Sequence, residues 1–177
     1  MGNRTLAHML FFIFFLITIN SSIAAAENHT STFFGERNIA PPGLFHGAVW
    51  NTGKDDMIQE IRCRVVNFDV FTDDLRVTGL QTVVINTRQK QTEPYSSGRI
   101  WGQFVIEPEA YPGSYWTGRL WGEQTADGSW YHKYIGIGTG LLEGLKFRAY
   151  SENIDLSTPG PPIPSRTWSI EGFIIEK

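Results

Sequence analysis

The chain has 177 residues, with 15 basic and 18 acidic side chains for a formal charge of −3, 14% aromatic residues and one cysteine. That length suits a single domain with one core. The acidic balance and the absence of any basic cluster argue against nucleic acid or an anionic membrane surface as partner, and a lone cysteine excludes an internal disulfide framework.

The chain opens with a short polar segment bearing Arg4, then the apolar run MLFFIFFLITI from Met9 to Ile19, then NSSIAAA. This is the charged, apolar and small-residue order of a secretory signal peptide; the run is short of the roughly 20 residues of a membrane span. Ala24 and Ala26 place cleavage after residue 26, with an uncleaved anchor as the alternative. Cleavage leaves a secreted chain, extracellular or periplasmic, of residues 27–177, with 14 basic against 18 acidic side chains and no transmembrane segment. Asn28-His29-Thr30 is an acceptor pattern for N-glycosylation in a source that glycosylates its secreted proteins. Residues 27–42 are polar and irregular, ending in Ala40-Pro41-Pro42, and read as an N-terminal arm ahead of a single domain over 43–177.

Past Leu44 the helical period is absent, while short runs rich in Val, Ile, Thr, Tyr, Phe and Trp recur between turn residues, the pattern of an all-β chain. The spacing predicts strands over Leu44–Trp50, Gln59–Phe71, Arg76–Thr87, Arg99–Glu107, Tyr115–Gln124, Trp130–Ile137, Lys146–Tyr150 and Thr167–Ile175. Gly, Pro, Asp or Asn stands in the connections, where the chain must reverse. Mostly short connections favour a meander, and closure removes exposed strand edges. The expected fold is therefore a closed eight-stranded antiparallel up-and-down β-barrel. A β-sandwich is the alternative, and it fits less well because Greek-key crossovers need longer connections. The one long connection, Glu152–Ser165, contains PGPPIP and is expected to cross one end of the barrel as a stiff segment.

Two strands repeat nearly the same five residues, Gly98-Arg99-Ile100-Trp101-Gly102 and Gly118-Arg119-Leu120-Trp121-Gly122. Because strand side chains alternate between faces, Arg99, Trp101 and Gln103 share one face, and Arg119, Trp121 and Glu123 share one on the next strand. On the strand after, Trp130, His132 and Tyr134 have one parity, and Tyr131, Lys133, Ile135 and Ile137 the other. The candidate ligand-binding surface is Arg99, Trp101, Arg119, Trp121, Glu123, Trp130, His132 and Tyr134. Facing inward, it lines a cavity of aromatics with a few convergent polar groups, the composition of a small-molecule site. Facing outward, it is a ladder of Arg stems on Trp rings worth about 1 kcal/mol or less per pair. The opposite face, with Ile100, Phe104, Leu120, Ile135 and Ile137, has the apolar character of a packed core. Gly102, Gly122, Gly136 and Gly138 read as points of sheet curvature.

Cys63 reads as a buried small hydrophobe rather than a nucleophile, having no histidine in its neighbouring sequence. His29, His46 and His132 form no His-x-His pair, so no metal site is expected, and no nucleophile-elbow, phosphate-loop or dinucleotide pattern implies a cofactor. Glu123 and His132 could serve as an acid/base pair only if both entered the barrel.

Asp127-Gly128-Ser129 followed by Gly136-Ile137-Gly138-Thr139-Gly140-Leu141-Leu142-Glu143-Gly144-Leu145 resembles the strand, glycine turn and strand of the allene oxide cyclase barrel-like superfamily. The Trp-x-Gly-x-x-Trp-Gly of Trp116–Gly122, and Asp74-Leu75-Arg76-Val77-Thr78-Gly79 ahead of it, are similar to small bacterial proteins of that group. The likeness spans residues 64–150 and implies a closed eight-stranded antiparallel barrel, shared with the dirigent proteins. Neither the catalytic carboxylate of the cyclases nor the acidic motif of the dirigent proteins has a match here, so neither activity is carried over. Glu143 is expected to hold the backbone amides of its turn. Three readings stay open: a secreted barrel binding a small hydrophobic or partly apolar molecule, an isomerase or cyclase acting on an unsaturated oxygenated ligand, and a surface protein that presents its aromatic ladder to a partner or carbohydrate.

Overall fold

The computed structural model describes residues 29–44, 48–51, 57–90, 96–153 and 167–176, with the backbone alone over 41–44, 48–51 and 60–64. The expected leader, Asn28, the PGPPIP connection and the Cys63 side chain lie outside what is described. Nine strands make up nearly all of the described chain: β1 (Thr30–Leu44), β2 (Ala48–Asn51), β3 (Met57–Thr72), β4 (Gly79–Lys90), β5 (Ser97–Pro108), β6 (Tyr115–Gln124), β7 (Trp130–Thr139), β8 (Lys146–Glu152) and β9 (Thr167–Ile175). Neighbours from β3 through β9 pair antiparallel in sequence order, and β1 lies between β9 and β3, so eight strands close into one barrel. The extra strand, β2, pairs with the first residues of β3. The architecture is the closed antiparallel barrel expected of the sequence, and not a sandwich.

The first strand departs from expectation. Residues 27–42 read as an arm, yet Thr30–Leu44 form β1, which closes the barrel by pairing with β9 on one side and β3 on the other. The expected strand Leu44–Trp50 is divided between the end of β1 and β2. Alternation explains why β1 was hidden: Phe33 and Arg37 are buried while Phe34 and Glu36 are exposed, so an arginine fills an inward position where the pattern anticipates an apolar residue. Similarly, β4 begins at Gly79 and not at Arg76. Arg76 belongs to the preceding turn, where it pairs with Asp74 and Glu176, each at 2.7 Å, and its carbonyl accepts the Trp116 indole N–H at 2.6 Å.

That turn helps seal one end of the interior, where Phe33, Val77, Ile106, Trp116, Leu142, Phe147 and Ile174 are all buried. Leu142 is delivered by the short helical turn Gly140–Leu142, whose Leu141 amide donates to Ser114 Oγ at 3.0 Å. Glu143 itself is exposed, so the hydroxyl of Ser114, and not the Glu143 carboxylate, holds that amide. Fully burying each such large apolar side chain contributes about 1.5–3 kcal/mol. Two strand glycines serve close approach as much as curvature. A Cβ at Gly118 would lie 2.8 Å from Phe104 Cε1 and 2.0 Å from the Ile135 carbonyl oxygen; one at Gly122 would lie 2.9 Å from His132 Cδ2 and 1.8 Å from that of Tyr131. Aromatic rings therefore lie against bare backbone inside the barrel.

Candidate functional site

The strand register divides the eight sequence-derived site residues into two groups. Gln124 pairs with Trp130 and Trp121 with Lys133, so odd-numbered residues of β6 and β7 share one face and even-numbered ones the other. Arg99, Arg119, Trp121 and Glu123 are exposed on the outer wall with the half-buried Trp101, whereas His132 and Tyr134 are buried inside and Trp130 is half-buried. The same register corrects two core expectations: Ile100, Phe104 and Leu120 are buried, but Ile135 and Ile137 are 43% and 58% exposed on the outer wall. Glu123 and His132 thus lie on opposite sides of the sheet and form no acid/base pair.

Inside, His132 and Tyr134 meet residues that the sequence reading left out. Arg37 of β1 sits beside Trp168 of β9 and Val70 of β3 in the pairing, which turns its side chain into the barrel. Its guanidinium is fully buried and lies 4.3 Å from the ring centre of Phe68, 4.8 Å from that of Trp168 and 5.4 Å from that of Tyr134. Contacts between a cation and ring faces contribute about 0.5–2 kcal/mol each, more when desolvated. One terminal nitrogen, Nη1, donates to Gln81 Oε1 at 2.9 Å and to the Tyr134 hydroxyl. The other, Nη2, lies 3.0 Å from His132 Nδ1. The His132 ring stacks on Trp168 with centroids 5.4 Å apart and planes 5° from parallel, and Trp130 packs edge-on against both.

The electrostatics follow from burial. Desolvation pushes the His132 imidazole well below the usual histidine range, and the neighbouring Arg37 cation acts in the same direction. Burial raises the Tyr134 hydroxyl above its ordinary value, opposed by the charge and hydrogen bond of Arg37. Burial also lowers Arg37, with Tyr134 opposing, but a guanidinium starts so high that it stays charged. The cluster is one cation held by neutral groups. Among the described residues the buried polar side chains include no carboxylate, and no three metal-ligating side chains come together. Nearer the strand ends Gln89 Nε2 donates to Gln124 Oε1 at 2.6 Å, and Asn153 Oδ1 accepts the Trp130 amide at 2.7 Å.

The outer wall is chemically different. Trp101, Trp121, Lys133, Tyr150 and Glu171 are successive partners across five strands. Arg99 sits opposite Glu123, which accepts from the Tyr131 hydroxyl at 3.2 Å. An open groove of about 610 Å³ runs past Trp121, Lys133, Tyr150 and Phe34, and another of about 590 Å³ past Arg119 and Ile137. Charges there remain in water and are individually weak. The interior cluster differs in that its polar groups are fixed and desolvated, whereas both grooves lie on the outer wall.

Fold and cluster together define a closed antiparallel β-barrel that keeps an aromatic-walled cation inside its core. Comparison with protein-family models, curated proteins and solved structures finds no match to the chain. The residues missed by the sequence reading, Arg37, Phe68, Gln81 and Trp168, carry one local signal. Gln81 shares parity with Val83 and Ile85, and Trp168 with Ile170 and Ile174, so each falls in an inward row. No local signal could bring them together, since Arg37 lies 44, 95 and 97 residues from Gln81, His132 and Tyr134.

Proposed function

We propose that this is a secreted barrel, extracellular or periplasmic, that binds a small, partly apolar molecule at the polar end of its interior. The observation that carries the reading is the fully buried Arg37 guanidinium, walled by Phe68 and Trp168 and hydrogen-bonded to Gln81, Tyr134 and His132. Stability alone gives little reason to retain such a group, since hydrophobic replacements for buried ions are often neutral or stabilising. Aromatic walls with a few fixed polar groups are what a small-molecule site needs. Native mass spectrometry of protein purified from its own source tests this, with a bound molecule at about one per chain expected. Bare chain mass, both as purified and after incubation with a small-molecule extract of that source, would contradict it.

An isomerase or cyclase acting on an unsaturated oxygenated ligand is the second reading, which the superfamily likeness suggests. It is favoured by one feature: the Tyr134 hydroxyl accepts from Arg37 and lies 3.5 Å from His132 Nδ1, a set able to hand a proton to a ligand oxygen. In that case Tyr134→Phe loses turnover of the bound molecule while retaining its binding; equal turnover by the variant excludes the role.

A further inference from the structure

We infer that the molecule held at the polar end is an organic carboxylate, whose oxygens meet the unpartnered donors around Arg37; the inference rests on the binding reading above. Among the described residues five buried side-chain atoms have no hydrogen-bond partner: Arg37 Nε, Gln81 Nε2, His132 Nε2, Asn153 Nδ2 and Trp168 Nε1. All five are donors. Arg37 Nε and Trp168 Nε1 can only donate. Gln81 Oε1 accepts from Arg37, and Asn153 Oδ1 accepts the Trp130 amide, which fixes the amide nitrogens as the free ends. Because Arg37 only donates, His132 Nδ1 must accept, and the neutral ring carries its proton on Nε2. Buried donors left unmade cost about 1–3 kcal/mol each, so a surplus of this one kind selects a ligand rich in acceptors.

Charge points the same way. Arg37 contributes one positive charge, His132 and Tyr134 are held neutral, and among the described residues no carboxylate is buried beside them. A carboxylate balances a single cation, whereas a phosphate monoester brings about −1.5 to −2. The half-buried Trp130 packs edge-on over the cluster, its ring centre 6.3 Å from that of His132 and 6.1 Å from that of Trp168. Phe104 packs edge-on against Tyr134 with centroids 5.2 Å apart, and Phe147 and Trp116 follow behind it, so the ligand is compact, with its apolar part beside the rings of Trp130 and Trp168.

The test supplies the missing charge from the protein itself. Gln81→Glu places a carboxylate where an amide oxygen already accepts from Arg37 at 2.9 Å. The ligand-free variant is expected to melt about 5 °C or more above the parent chain. Benzoate at about 10 mM should raise the melting temperature of the parent chain but not of Gln81→Glu, and benzyl alcohol should raise neither. A Gln81→Glu protein no more stable than the parent, or equal shifts from benzoate and benzyl alcohol, overturns the carboxylate. Should the variant fail to fold, the benzoate and benzyl alcohol comparison on the parent chain decides alone. A neutral molecule retained by protein from its own source would leave the binding reading standing and overturn this one; no retained molecule and no benzoate shift would sink both.

Discussion

In one part of the barrel interior Val77, Trp116, Leu142, Phe147 and Ile174 exclude water by packing; in another Arg37, Gln81, His132 and Tyr134 are as deeply buried but are held by directed hydrogen bonds and ring contacts. Among the described residues the apolar part leaves no buried side-chain donor or acceptor without a partner, and each large side chain there returns about 1.5–3 kcal/mol. The polar part returns about 1.5–3 kcal/mol per hydrogen bond to the charged guanidinium, and among the described residues leaves five buried donors without partners. One part of a single core is therefore saturated by apolar packing, while the other keeps buried donors without partners among the described residues.

The contrast can be probed from its most costly point outward. Trp116→Ala empties the sealed end and also removes the indole bond to the Arg76 carbonyl, so a loss of about 3–5 kcal/mol is expected in urea unfolding; a loss under about 1 kcal/mol would mean that this end is not the main source of stability. A pH series examines the polar end. Because the folded pKa of His132 is depressed below the ordinary 6.5, its contribution is whole above that pH and is lost as pH falls toward the folded value, since the unfolded chain takes up a proton the folded one refuses. Comparing unfolding free energies above and below pH 6.5 should reveal a slope of up to about 1.4 kcal/mol per unit that His132→Gln abolishes. An unchanged slope in the variant would place the titration elsewhere.

Smaller effects refine the comparison. Tyr134→Phe removes one of the two acceptors of Arg37 Nη1 while Gln81 remains, so a cost of about 1.5–3 kcal/mol is expected by chemical denaturation. A cost as large as that of Trp116→Ala would show that the two ends are equally structural. Trp121→Ala, on the outer wall at 43% exposure, should change stability by about 0.5 kcal/mol or less and leave bound ligand in place. Loss of ligand from that variant would move the site from the interior to the outer groove.

Much of the barrel was legible in the chain, and little of the site. Tyr115–Gln124 and Thr167–Ile175 coincide with β6 and β9 because runs rich in aromatic and β-branched residues are bounded by turn residues in the sequence. β1 was not legible, since Gly35, Glu36, Arg37 and the prolines at 41 and 42 mask its alternation. Parity was assigned correctly inside each strand. What it could not supply was the phase between strands: the five residues between Gln124 and Trp130 keep odd with odd, which turns Trp121 outward and His132 inward.

Within each of the repeated GRIWG and GRLWG segments local alternation places Arg and Trp on one face, and the register of β5 with β6 makes it the same face. Short turns and β-rich runs likewise determine an antiparallel meander, because each depends on residues near one another in the chain. Only the tertiary structure decided that the repeat lies outside and that an arginine from the supposed arm becomes the centre of the interior. The pairing of β1 with β3 and β9, across tens to more than a hundred residues, brings Arg37 to Gln81, His132, Tyr134 and Trp168, and no local pattern encodes that closure.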